Sequence, residues 1–525
     1  MNPPPGPAVP GAAPQTAPPT TPPTDARTGP DSRTGGRTDG AARTALVRPR
    51  TSPEGPSAPR AGWWRPLLLR WHFYAGVLVG PFLLVAALSG ALYAATPQLE
   101  QVVYRDELRV DPSPTQLPLG QQVEAAFAVH DAEDLVAVRP APTPSDTTRV
   151  MFAVGDLAES ETRAVFVDPG TGEVRGELTV YGTSGVLPLR TWVSQLHRHL
   201  HLGEPGRLYS ELAASWLWVL ALSGLVLWTA RARRRARARR LLLPDLSASG
   251  RRRTRSFHGA VGAWTSLGLL ALSATGLTWS TYAGAGVSDL RSALGWSTPA
   301  VSTALPGSEG TSEPAGEHAD HGGLAGHEGH GADVHPAALA SDYERALAVA
   351  RDGGIDAGKV EVEPPAGEGA AWTVTEIDRG FPTDVDAASV DPASGTVVDR
   401  VDFADHPLMA KLARWGVDLH MGSWGLLNQL VLLALALGLA CTIVWGYRMW
   451  WQRRPDLSRR GGVGRPYPRG ALRSAPPWAV ALVGLAALAV GWALPLLGVS
   501  LLAFLAVDVL LGLRARLRRR TPAGA

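Results

Sequence analysis

Cysteine is nearly missing from this chain: Cys441 is the only one among 525 residues. That excludes an intramolecular disulfide, a Cys-ligated iron–sulfur cluster and a Cys-rich zinc site. Residues 1–60 lack side chains worth burying. They are rich in Pro, Ala, Thr and Gly, and read as a disordered cytoplasmic tail. They also lack the apolar core that a cleaved signal peptide carries near its start, so the first apolar run is expected to be retained. No Gly-x-Gly-x-x-Gly follows a strand-like run in the basic segments, which leaves the chain without a legible nucleotide site.

Charge is absent over long stretches. Pro66 to Thr96 carries only Arg70, and uncharged or nearly uncharged runs recur at Leu212–Ala230, Gly259–Ser288 and Met421–Tyr447. A last pair, Trp478–Leu494 and Leu496–Leu513, is divided by Pro495. About 20 apolar residues in a helix cross a bilayer, and only helices or closed barrels satisfy their backbone there. Six spans are therefore expected. Arginine clusters follow spans two, four and six, at 231–256, 451–475 and 514–525. The positive-inside rule puts all three in the cytoplasm, with both termini, and places loops 97–211 and 289–420 outside. A net charge of +3 is then a matter of topology, and nucleic acid is not an expected partner. The expected partner is the lipid bilayer of the cell (inner, cytoplasmic) membrane.

The chain repeats itself. His72 precedes Gly76 by four residues and Gly90 by eighteen; His258 stands in the same relation to Gly262 and Gly276. Ser223-Gly224 with Trp228 matches Trp445-Gly446 with Trp450, and Leu196-His197 matches Leu419-His420 upstream. The outer loops repeat as well. Each carries a helical stretch (near 118–130, and from a capping box at Ser341–Glu344), then strand-like runs at Leu135–Val138 and Arg149–Val154 or at Lys359–Val362 and Trp372–Glu376. An Asp-Pro-x-x-Gly turn closes each, at Asp168 and at Asp391.

The pieces Arg70-Trp71-His72, Leu196-His197-Arg198, Gly203-Glu204-Pro205-Gly206-Arg207, Phe257-His258, Trp415 to Gly422 and Trp450 to Pro455 come in an order that resembles the PepSY-associated transmembrane family. That family includes iron-regulated membrane proteins and siderophore reductases, and the likeness covers about 65–455. It implies four core helices, PepSY-like external domains and, in reductase members, b-type haem. The tail, the C-terminal hairpin, the His-rich insert and Trp445, where a small hydroxyl residue is usual, depart from the pattern.

The expected architecture is a mainly α-helical membrane protein: a four-helix core from a duplicated hairpin, a C-terminal two-helix hairpin, and two small α+β external domains. In chain order it reads as a tail (1–60), TM1 (65–96), an external domain (97–195), an outer His motif with TM2 (196–230), a basic loop (231–256) and TM3 (257–288). A His/Gly-rich insert (289–337), a second external domain (338–405), an outer His motif with TM4 (406–450), a basic loop (451–475), the TM5–TM6 hairpin (476–513) and a basic tail (514–525) follow.

Histidine beside a membrane span points to function. His72 and His258 are expected at the inner ends of spans one and three, and His197 and His420 at the outer face. Paired across the repeat, they are candidate axial ligands for two b-type haems. Singly, each reads more simply as an interfacial residue bonded to headgroups or backbone. His199 and His201 crowd His197; His201, one helical turn on, is the alternate ligand. A second cluster, His318, His321, His327, His330 and His335, suits loosely held copper or zinc, or is a solvated insert. Asp508 is expected to pair with Arg514 or the lipid surface, or to line a polar path.

The expected function is a di-haem conduit that takes electrons from an unknown cytoplasmic reductant to an extracytoplasmic metal or metal chelate, ferric first and cupric second. Whether this makes it a ferric or cupric (siderophore) reductase is left open by the residues, and none is assigned a catalytic role. Two other readings stand: a membrane-anchored PepSY regulatory, sensor or protease-inhibitor module, and a component of a metal transporter.

Overall fold

A computed structural model describes residues 62–158, 160–182, 184–233, 241–307, 340–383, 385–453, 467 and 469–520. The expected N-terminal tail lies outside them. The first apolar run forms two helices rather than one, α1 (Trp64–Leu78) and α2 (Gly80–Val103). Pro81 accounts for the break: its nitrogen carries no hydrogen for the Val77 carbonyl four residues back. The Tyr447 hydroxyl donates to that carbonyl instead, at 2.7 Å. Gly80 makes the approach feasible, since a Cβ there would stand 3.1 Å from the same hydroxyl.

The first long loop continues with α3 (Arg105–Leu108), α4 (Leu119–Ala126), β1 (Leu135–Arg139), β2 (Thr148–Phe152), β3 (Glu161–Val167), β4 (Val174–Tyr181) and α5 (Pro188–His199). Helices α6 (Glu204–Ala232) and α7 (Gly250–Leu277) follow, then α8 (Tyr282–Ala293). The third apolar run, expected to continue to Ser288, thus stops at Leu277 as a helix. Buried Glu211 explains the new start, because its carboxylate accepts the backbone N–H groups of Tyr282 and Ala283, each at 3.0 Å. An acidic group at a helix N-terminus satisfies orphan donors and complements the dipole.

The second loop gives α9 (Ala340–Asp352), β5 (Val360–Glu363), β6 (Trp372–Glu376), β7 (Ala387–Asp391), β8 (Thr396–Val401) and α10 (Leu408–Met421). Last come α11 (Leu426–Trp451), α12 (Pro477–Ala493) and α13 (Pro495–Arg520). Among the described residues five helices, α2, α6, α7, α11 and α13, are long and apolar enough to cross a membrane; α12, at 17 residues, is shorter. Helix α6 packs on α7, and α11 packs on both α2 and α7.

The two loops do not fold apart. Their strands make one antiparallel sheet in the order β4-β3-β2-β1-β5-β6-β7-β8. Two separate four-stranded units would each leave β1 or β5 as an open edge, and joining them removes both edges. Val138 opposite Val362 is the join. Above it α4 and α9 meet so closely that a Cβ on Gly120 would stand 3.2 Å from the Ala340 carbonyl oxygen. One core underlies both, with Val123, Val138, Val150 and Phe152 from the first loop packed with Tyr343, Val362, Val374 and Val390 from the second. The Asp-Pro turns form as the sequence suggests, with Gly172 and Gly395 at φ +75° and +71°.

The C-terminal hairpin is fastened to the other helices by polar contacts. The Trp216 indole N–H donates to Ser500 Oγ at 2.9 Å. Asp508 pairs with Arg70 of α1, and its Oδ1 also lies 2.9 Å from Arg469 Nε. This replaces the expected pairing with Arg514.

Candidate paired-histidine site

Four histidines meet four helix positions in one repeated pattern. His72, on α1, turns to α6, where its Nδ1 lies 2.9 Å from Ser223 Oγ and its ring rests on Gly224. His197, on α5, turns to α2, with Nδ1 3.0 Å from Ser89 Oγ and its ring on Gly90. In the second half His420, on α10, meets Thr275 Oγ1 at 2.6 Å and rests on Gly276 of α7. His258, on α7, rests on Gly446 of α11. Trp445 offers no hydroxyl there, and His258 Nδ1 bonds the Thr442 carbonyl at 2.8 Å instead.

Glycine is required by space. A Cβ at Gly224 or Gly90 would stand 3.1 or 3.2 Å from the facing imidazole, closer than ordinary contact. The second half is looser, at 3.6 Å for Gly276 and 3.9 Å for Gly446.

The hydrogen bonds also bear on the tautomer. Ser223 spends its only hydroxyl proton on the Leu220 carbonyl, Ser89 on Val85 or Ala86, and Thr275 on Ala271 or Leu272. Their oxygens are left to accept, and the Thr442 carbonyl can only accept. His258 therefore donates from Nδ1, and the other three do so wherever the hydroxyl keeps its carbonyl partner, which leaves Nε2 for another partner. Burial first, and nearby His197 second, push the His420 pKa down to about 3, so its ring is neutral. Burial likewise lowers His197.

Between the halves, His72 and His258 stand with ring centroids 6.2 Å apart and planes at 78°. A first-row ion bound by two imidazole nitrogens at about 2.0–2.1 Å sets the ring centres about 6 Å apart, allowing about 1 Å from nitrogen to ring centre. Among the described residues, no group of three or more His, Cys, Asp or Glu could hold a metal ion. A pair of imidazoles suits an ion that brings its own in-plane ligands, as haem iron does. The residues present fit that group.

His201 does not join the site. Helix α5 ends at His199, Leu200 and His201 take positive φ, and His201 stacks on Trp192 at 5.0 Å. It is thus not one turn along the helix from His197. His199 lies beside it, 6.1 Å between centroids. His318, His321, His327, His330 and His335 lie outside the described residues. The partners Ser89, Ser223 and Thr275 were visible in the sequence only as repeat markers beside glycine; that each meets a histidine from elsewhere in its half was not.

A family model described as the PepSY-associated TM region matches residues 69–453. No curated protein matches the chain.

Proposed function

Starting from a chain that belongs to the PepSY-associated transmembrane family, we propose that it is a haem-bearing electron conduit of the cell membrane. In this reading both termini are cytoplasmic, and α2, α6, α7 and α11 form the four-helix conduit core. The outer loops, each a PepSY-like unit, face away from the cytoplasm. One electron leaves a cytoplasmic reductant and converts an extracytoplasmic ferric chelate to its ferrous form. Cupric ion is the second candidate acceptor. Reduction loosens a ferric chelate because hard oxygen ligands prefer the more highly charged ion.

One arrangement supports the proposal: four imidazoles that each meet a hydroxyl or carbonyl oxygen through Nδ1, with His72 and His258 facing each other from the two halves. His72 and Ser89, which marks the level of His197, are seventeen residues apart across the α1–α2 break, so the levels are separated by at most about 25 Å at about 1.5 Å per residue. That distance calls for two carriers. When bound, haem supplies a one-electron redox couple at each level. The chain's own part is to hold neutral imidazoles in one orientation and to keep water away with packed glycine and Leu/Ala surfaces.

The test is an absorbance spectrum of the purified protein with and without dithionite. A reduced b-type spectrum that loses about half its intensity in His72→Ala or His420→Ala supports the reading. A colourless, folded preparation from haem-replete cells sinks it and leaves the anchored-module reading.

A further inference from the structure

An arginine stands seven residues from each contact of the His72–His258 level. Arg65 is seven before His72, Arg251 seven before His258, Arg231 seven after Gly224 and Arg453 seven after Gly446. Seven residues are nearly two helical turns, so each arginine shares a face with its histidine or glycine, about 10 Å along at about 1.5 Å per residue. Just past the last residue of α11, Arg453 keeps to the turn by bonding its N–H to the Trp450 carbonyl. Helices α7 and α11 run in opposite directions, with His258 on Gly446, Thr265 on Gly438 and Leu435 on Gly268. Counting back from His258 and forward from Gly446 therefore leads to the same end of the bundle.

In the second half the two arginines do meet. Arg453 and Arg255 both act electrostatically on Arg251, and the acidic group that acts on it is the Tyr467 phenol, uncharged near pH 7. Arg453 donates to that same hydroxyl. Its guanidinium lies 5.4 Å from the Phe73 ring centre and 4.3 Å from that of Tyr467, which ties it to α1 beside His72. Its Nε–H is buried and has no partner. Among the described residues no carboxylate pairs with Arg251 or Arg453. Two carboxylates at this end are committed elsewhere: Asp508 to Arg70 and Arg469, and Asp245 to the Ser247 hydroxyl at 2.7 Å, with Arg252 in its field. A buried N–H without an acceptor is costly, and an oxyanion is the partner that relieves it.

We propose that Arg251 and Arg453 receive the propionate carboxylates of the haem that His72 and His258 hold. The inference rests on the conduit reading for the presence of haem and adds how the ring is oriented. Arginine presents a planar fork that matches a carboxylate, and charge-assisted hydrogen bonds of this kind are the strong ones. The acidic edge of the ring then points to the arginine end of the bundle, and its apolar edge points along the helices towards the other histidine level.

The experiment follows haem transfer from the full-length protein in detergent to excess apomyoglobin. In Arg251→Gln and Arg453→Gln about half of the haem should leave about tenfold faster than from the wild type. Arg251→Gln leaves the Phe73–Tyr467 packing intact, so it serves if Arg453→Gln fails to fold. Arg252→Gln, the same change of charge, should release haem at the wild-type rate. Reconstitution with haem dimethyl ester, whose propionates carry no charge, should abolish the difference between each variant and the wild type. Wild-type release rates in both variants overturn the inference. So does an equally faster loss of the dimethyl ester, which would make the arginines supports of the fold. Variants that keep haem but lose a co-purified anionic phospholipid overturn it too, and assign the site to a lipid headgroup. A colourless wild-type protein from haem-replete cells removes the conduit reading together with this one, whereas a haem-loaded wild type with unaffected variants removes this one alone.

Discussion

Asp508, deep in the last helix, closes an ion pair with Arg70, which stands two residues before His72. The C-terminal hairpin is therefore fastened beside the His72–His258 level. Asp508→Asn leaves Arg70 buried without its counter-charge. We expect a loss of about 2 kcal/mol, less than for a fully enclosed pair because Asp508 is partly open and Arg469 also reaches it. Thermal unfolding in detergent should show a midpoint several degrees lower, largely restored by Asp508→Glu. An unchanged midpoint would mean that packing alone holds the hairpin.

The unequal clearances at the four glycines give a graded prediction. Gly224→Ala and Gly90→Ala force a methyl against His72 and His197, whereas Gly446→Ala meets His258 at ordinary contact distance. On the conduit reading, the first two should shift or broaden the haem spectrum and reduce haem content at one level. Gly446→Ala should leave both unchanged. A uniform response would show that the imidazoles do not rest on these glycines.

Ser223→Ala removes an acceptor and lets the His72 ring rotate about its remaining contacts. The expected cost is about 1 kcal/mol in stability and, on the conduit reading, a change in the reduction potential at the His72–His258 level, read by spectroelectrochemistry. Thr442→Ala should do neither, because His258 uses the Thr442 backbone carbonyl, which any residue keeps. Equal effects from both substitutions would refute the tautomer argument.

At the join of the sheet, Glu361→Gln removes the carboxylate that accepts from Arg139 Nε. Breaking one partner of an enclosed pair costs about 3–5 kcal/mol. Replacing both, as Arg139→Met with Glu361→Leu, should recover most of that. Urea titration of the full chain would test this; if the double variant is no better than the single, the pair is needed for more than charge balance.

Much of this architecture is legible in the sequence because duplication repeats its landmarks at equal spacing. His72 and His258 stand eighteen residues before Gly90 and Gly276, and that correspondence alone points to paired imidazoles. What repeats cannot reveal is how the copies face each other. Nothing in Val138 or Val362 marks them as the edges that meet, since any buried strand end looks the same. The break at Gly80-Pro81 was written in the chain but masked by a long apolar run on both sides. The end of α5 at His199 depends on Leu200 and His201 accepting positive φ, a conformation that neither residue type advertises. Trp445 reads as a defect in the Ser/Thr-Gly pattern; only the fold shows that a carbonyl one turn earlier takes over the hydroxyl's task.

Every cross-half encounter in the molecule draws one member from each copy: His72 with His258, Val138 with Val362, Arg139 with Glu361. Neither copy by itself owns a facing imidazole. A chain cut in the basic stretch between α6 and α7 would consequently yield two fragments that are each inert, and whose pigment, if they regain any, would grow with the product of their concentrations. The linker between the repeats thus turns an association that dilution could undo into a permanent one.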